Sequence, residues 1–567
     1  MMRFMDQITD KPGWDSKVFD DTITAKWKSE ALAAAEVTNE EGAATQTTDI
    51  TERMIDYCFH ELRYKAKVFA NTGIVVAYDG DVVKSDVVVP DELCMALKSA
   101  AAPLENVAPA LRDWHPGSDD LVLDLVHPSL FPVVYGKTRI LAHPSVNLEN
   151  CVEQCGDGEI LPVPSKFSQY SIKFQWLPCQ VEFGSGDNSV KITSYINNLH
   201  PKSNQPLYEA VENILAKAIP LWSRTLWPAN SHIIRVPFDG PVYREDDEGD
   251  DKGDGDGKDE NDDEDENDED ENDDEDNNDD EYEQRLRDWR KRHFVQPEPE
   301  DFVDGMTKLS IGTAEEGVST PLQIRSPSGG PNICNLRDTF AERGLQVIVK
   351  LANIHLTPEK PQYGGGTWHV EGQLNEHICA TALYYYDCAN ITESRLAFRQ
   401  QSDAEKAVFM GYEQEDHGWL STVFGCEQGE ASVQYVGDVL AKEGRLITFP
   451  NTFQHRVLPF KLEDPTKSGH RKILALFLVD PHIQIISSAH VPCQRRDWWA
   501  EELDNKHALP DRLPLEIKQE VMGYVNDFPI ALEEAKKLRL ELMDERKFHD
   551  VIQDGEFNST TFSLCEH

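Results

Sequence analysis

The sequence predicts an α+β protein: a β-sandwich or jelly-roll core, braced by helical N- and C-terminal regions and interrupted by a disordered acidic insertion. Three observations carry that prediction. Beyond Leu345, short apolar runs succeed one another with turn residues between them and no regular helix, as in an antiparallel core rather than a parallel α/β sheet. In the N-terminal region and again after Pro514, apolar residues recur at helical spacing. From Glu245 to Glu283, 27 carboxylates face two lysines and carry more than half of the formal net charge of -47. Such a self-repelling stretch cannot bury a core. The expected divisions are a mixed, helix-leaning region over 1–167, a core over 168–243 and 284–500, the insertion at 244–283, and a helical region over 501–567.

Taken in order, Ile23–Val37 and Met54–Phe69 read as helices, the second with its N-cap region at Asp49-Ile50-Thr51. Leu121–Leu125 and Leu130–Tyr135 read as short strands separated by His127-Pro128. Tyr170–Trp176 and Val190–Ile196 alternate with period two and read as a pair of strands; Leu207–Ala218 reads as a helix. The core strands are expected at Leu345–Leu351, Thr367–Gly372, Ala380–Tyr386, Arg445–Phe449, His455–Phe460 and Lys472–Val479. In Phe528–Arg546, Ala531, Ala535, Leu538 and Leu542 share one helical face.

Composition closes off several functions. With 567 residues and 39% hydrophobic content, the chain is long and apolar enough for a large core. No apolar run approaches the roughly 20 residues of a membrane span, and Met1–Asp6 lacks the apolar core of a signal peptide. Eleven cysteines without a Cys-x-x-Cys pair fit reduced thiols in the cytoplasm or nucleus. No basic stretch is large enough to track a phosphate backbone, so direct nucleic-acid binding is not expected; the acidic tract is suited to a basic protein partner. Nucleophile elbows, Walker loops and dinucleotide fingerprints are missing.

The chemistry concentrates in Trp368-His369-Val370-Glu371-Gly372, the one His-x-acid string in the chain. On a strand, residues two apart share a face, so His369 and Glu371 converge. One further imidazole completes a facial triad of two histidines and a carboxylate, which leaves open positions on Fe(II). His455, in Phe449–Val457, stands after a turn at the start of another strand. Arg471 heads the apolar strand that follows, where a buried guanidinium needs an anionic partner and matches a carboxylate in two-point contact. Tyr195 and Asn197, at the exit of the Val190–Ile196 strand, are candidates for lining the co-substrate pocket. His377 competes as a ligand, Lys350 reads as a snorkelling edge lysine, and Arg456 and Lys472 face away by alternation. His115, His127 and His200 precede prolines and read as turn residues.

The order His-x-Glu, distal His, then Arg resembles the Fe(II)/2-oxoglutarate-dependent oxygenases on the double-stranded β-helix, over residues 345–482. The resemblance implies iron on His369, Glu371 and His455, with Arg471 on the distal carboxylate of 2-oxoglutarate. It implies oxidative decarboxylation coupled to hydroxylation or demethylation of an organic substrate. The superfamily's acid is usually Asp; Glu371 adds a methylene. Over nearly the whole chain, the strings Ile8–Pro12, Asp113–Ser118, Ser194–Pro201, Trp368–His377 and His470–Phe477 are similar to the fungal domain-of-unknown-function family 4246, which implies a fungal source and no particular substrate. Two other readings stay open: a cupin-like metal-binding protein without turnover, and an acidic interaction or scaffold protein that binds basic partners through 245–283.

Overall fold

The computed structural model describes residues 1–564 except 36–49, 79–80, 165–170, 187–188, 227–233, 245–274, 303–334, 403–409, 509, 511–512 and 525–527. The acidic insertion lies outside the described residues as far as 274, and the helix Glu275–His293 follows it. The architecture is mixed α+β around a large antiparallel sheet of nine strands.

In space, that sheet runs Val75–Tyr78, Val82–Ser85, Leu446–Pro450, Ile378–Ala389, Gly469–Val479, Leu345–Leu356, Cys179–Phe183, Val190–Ile192, with Val122–Val126 also on Leu345–Leu356. Three of these strands come from the region expected to lean to helix. A second sheet places Ser394–Gln401 between Val433–Ala441 and Gln454–Val457.

Strand alternation decides what each face meets. Along Leu345–Leu356, Val347, Val349 and Leu351 pack with Leu207, Val211 and Leu215 of the helix Gln205–Thr225, so this face is covered by helices. Ile348 points the other way. With Leu383, Tyr385, Ala475 and Phe477 it meets Leu396, Phe398 and Val439 of the second sheet. The two sheets thus share one apolar layer, and polar side chains on its walls are removed from water. Register puts Lys350 opposite Ala475, and Arg471 between Ile354 and Cys388, on that inner face. Lys350 therefore stands in a central strand, not at an edge.

Two sequence expectations are corrected. Tyr170–Trp176 does not pair with Val190–Ile196. The hairpin is Cys179–Phe183 with Val190–Ile192, joined through Gly184 and Gly186, while Phe174–Gln175 pairs with Val133–Val134. The expected strand Thr367–Gly372 is an extended segment that touches a neighbour through a single antiparallel pairing, His369 with His455. The N-terminal helices stand close to where periodicity puts them, at Asp21–Ala35 and Glu52–Thr72. Thr51 caps the second by accepting from the Met54 N–H at 3.2 Å. The last helix, Leu532–Phe557, runs eleven residues beyond its expected end at Arg546.

Candidate metal centre

His369 and His455 exchange both backbone hydrogen bonds, His369 N–H donating at 3.2 Å and His455 N–H at 2.9 Å. This exchange, one rung of a ladder, holds the two rings 4.4 Å apart between centroids. Glu371, two residues on, is locked by Asn451: Oδ1 accepts from Glu371 N–H at 2.8 Å, and Nδ2 donates to Glu371 O at 2.9 Å. Its Oε1 then lies 3.3 Å from His455 Nε2 and 3.9 Å from His369 Nε2. Metal–ligand lengths of about 2.1 Å put cis ligands about 3 Å apart, so the two acid–imidazole separations exceed that spacing by less than an ångström.

The hydrogen bonds also set the protons. His369 Nδ1 donates to Thr367 O at 2.9 Å, which assigns the neutral tautomer with a bare Nε2 toward the acid. His455 is 3% exposed, its ring against Phe449 at 4.7 Å, and its Nδ1 is buried without a partner. Burial and the neighbouring His455 hold His369 below the usual imidazole range. Burial alone would raise the Glu371 carboxyl. The His455 hydrogen bond and the charges of both imidazoles outweigh it and hold the group at about 2. The set presents two imidazole nitrogens and one carboxylate, the donor types of a divalent-metal site.

Arg471 shares the inner face. It is 3% exposed, and Nη1 donates to Ser394 Oγ at 2.7 Å while Nε has no partner. Its guanidinium lies over Phe460 at 5.3 Å and Tyr385 at 5.6 Å, and no carboxylate among the described residues pairs with it. Ser394 and Phe398, which pairs with His455, bracket one strand and lie about 13 Å apart along it. Arg471 and His455 thus both meet the strand Ser394–Gln401.

The other sequence candidates go elsewhere. Tyr195 donates to Val491 O at 3.0 Å inside a separate core with Val133, Cys151 and Trp498. Asn197 Nδ2 donates to Leu130 O at 3.0 Å. Both brace loops instead of lining the pocket, because buried backbone carbonyls claim their polar ends first. His377 closes a one-turn helix in a left-handed conformation (φ 46°) and does not join the triad. Lys472 pairs with Glu105 and Asp387 on the outer face.

The sequence reading missed two things. His115, Asp124 and His127 also converge, so two His–acid groups exist among the described residues. The C-terminal helix also reaches the site. Arg546 donates to Glu376 Oε1 at 2.6 Å and stacks on Trp176 at 3.8 Å, while Asp554 pairs with Arg399, which stacks on Trp368 beside His369. Only the pairing of Arg546 and Asp554 with these distant partners brings the helix there, and no local motif marks it.

Residues 52–502 match the family described as protein of unknown function (DUF4246), and residues 1–30 match its N-terminal domain. The chain belongs to the DUF4246 family. Comparison of this DUF4246 chain with curated proteins gives no match. Among solved structures it is similar to IDO from Bacillus thuringiensis, at 12% identity over 25% of this chain and 52% of that one, with a TM-score of 0.15. The Fe(II)/(alpha)ketoglutarate-dependent dioxygenase TqaL matches at 14% identity over 30% and 52%, TM-score 0.15. EvdO2 from Micromonospora carbonacea var. aurantiaca, complexed with 2-oxoglutarate, matches at 11% over 24% and 52%, TM-score 0.13. The chain spans about half the length of these structures, and overlaps this slight carry no argument. No helix among the described residues is long and apolar enough to cross a membrane.

Proposed function

We propose that this DUF4246 protein is an Fe(II)/2-oxoglutarate-dependent oxygenase whose two sheets form a double-stranded β-helix. His369, Glu371 and His455 would hold the metal, and Arg471 the distal carboxylate of 2-oxoglutarate. The observation that carries the reading is Arg471. A buried guanidinium satisfied by one neutral hydroxyl is costly unless an anion completes it. A dicarboxylate that bridges the triad and Arg471 supplies that anion. Bound there, Fe(II) with its co-substrate would supply oxidative decarboxylation coupled to hydroxylation or demethylation of an organic substrate.

The chain's own residues do the rest. Thr367 O and Asn451 fix the two ligands of the His-x-Glu segment, so little ordering remains at metal uptake. Phe398, Phe449 and Phe453 wall the His455 side against water. Tyr385 and Phe460 flank Arg471, which leaves its forked donors as the polar feature of that end.

The test is anaerobic titration of Fe(II)-loaded protein with 2-oxoglutarate, read by the charge-transfer band of the chelate. Wild type should show the band and release succinate in air. Arg471→Ala should raise the 2-oxoglutarate requirement about 10–100-fold, the worth of one or two charge-assisted hydrogen bonds. No band in wild type, or an unchanged requirement in the variant, would sink the reading.

A further inference from the structure

The helix Leu532–Phe557 packs beside the candidate centre on three ionic anchors. Arg539 donates to Asp113 at 2.6 and 2.9 Å; Arg546 to Glu376 at 2.6 Å; Asp554 pairs with Arg399. Glu376 lies five residues after Glu371. Arg399 Nε also donates at 2.7 Å to Gln454, the neighbour of His455. The second and third anchors therefore straddle the triad.

Asp550 stands four residues after Arg546 and four before Asp554, on the same helical face. It lies between the two anchors on the helix, close enough to the triad for its charge to act on His369 and Glu371. It is half-buried and makes no hydrogen bond or ion pair among the described residues. The nearby cations are committed elsewhere: Arg546 to Glu376 and the Trp176 ring, Arg399 to Asp554, Gln454 and Trp368. Nor does Asp550 join the ligand group, whose atoms lie within 4.8 Å of one another in His369, Glu371 and His455 alone. Beside the triad there is thus one carboxylate with no hydrogen-bond or ion-pair partner among the described residues.

We propose that Asp550 is the specificity-determining residue of this site and selects a substrate carrying an ammonium or guanidinium group. The assignment rests on the oxygenase reading and deepens it. A cation near a half-buried carboxylate is attracted far more strongly than one in bulk water, whereas a neutral isostere leaves the carboxylate desolvated and unpaired. Selection therefore acts on charge more than on shape.

The probes are Nα-acetyl-lysine amide and its Nε-acetylated, uncharged counterpart, titrated into the anaerobic Fe(II)·2-oxoglutarate complex and followed by perturbation of the chelate band. A seven-residue peptide with central lysine separates a peptide-borne cation from a free one. Wild type should bind the charged probe at least about tenfold more tightly. Asp550→Asn should form the chelate yet reduce the preference to about twofold or less. Asp544→Asn, an exposed change on the same helix, should keep it. A preference that survives in Asp550→Asn, or equal responses to the two probes, including none to either, overturns the assignment while the band upholds the oxygenase reading. A missing band in wild type overturns both.

Discussion

Two groups of two histidines and one acid lie in this molecule, and their surroundings set them apart. Around His369, Glu371 and His455, the bond from His369 Nδ1 to Thr367 O leaves the other nitrogen of that ring bare toward the carboxylate, His455 Nε2 lies 3.3 Å from the same carboxylate, and no lysine or arginine among the described residues pairs with it. Around His115, Asp124 and His127 a guanidinium approaches the acid. His115 Nδ1 meets Asp124 Oδ2 at 2.9 Å, and His127 Nδ1 accepts from Ser129 N–H at 3.2 Å, which puts its proton on Nε2. Arg539 Nη1 is 3.8 Å from the same Asp124 oxygen, and burial pushes the His127 imidazole well below its usual range. A metal there would have to compete with the Arg539 guanidinium. Residue type and distance are alike in the two groups; the neighbouring guanidinium sets them apart.

The contrast breaks most sharply on metal stoichiometry. Cobalt(II) or Fe(II) should bind once per chain. His455→Ala should weaken binding by more than about 100-fold, beyond the cost of losing an outer-sphere partner. His127→Ala should leave it unchanged. Calorimetry that finds two equivalents, one lost with His127, would erase the distinction.

Stability should divide the other way. Arg539 is 4% exposed and joins Asp113 and Asp124, so Arg539→Ala should cost about 3–5 kcal/mol by stranding buried carboxylates. In metal-free protein, His369→Ala should cost less than about 1 kcal/mol, since the half-exposed ring waits for a ligand. Urea unfolding of both variants reads the difference, and equal losses would put the two groups in one class.

A smaller effect concerns pH. Asp124 is 5% exposed. Burial alone would raise its carboxyl, but the charge of His127 and the bond from His115 outweigh it and hold it at about 2, against 3.8 unfolded. A folded-state value below the unfolded one gives stability that is present above about pH 4 and lost as pH falls toward 2, on the order of 2 kcal/mol. Asp124→Asn should flatten that part of the acid-unfolding profile relative to wild type; an unchanged slope would mean that Asp124 is not held down.

The convergence of the candidate ligands was legible beforehand because much of it is local. His369-x-Glu371 needs only extended backbone to converge, and it did so without a full strand. His455 after a turn and Arg471 at the head of an apolar run follow the same short-range logic. The second sheet was harder to see. Ser394–Gln401 exposes Arg395 and Arg399 around three inward residues, Ser394, Leu396 and Phe398, too few to declare a period. Tyr195 and Asn197 failed because a buried tyrosine or asparagine looks the same in sequence whether its partner is a ligand or a carbonyl.

By itself the sequence determined the α+β class, the terminal helices and the spacing that makes three ligands and an arginine possible, since alternation, capping and composition act over a few residues. The tertiary structure alone decided which charges surround each His–acid group, that no carboxylate among the described residues pairs with Arg471, and that Asp550 lies within electrostatic reach of His369 and Glu371. Those properties depend on who donates to whom across hundreds of residues, and no local period encodes the partner of a buried charge.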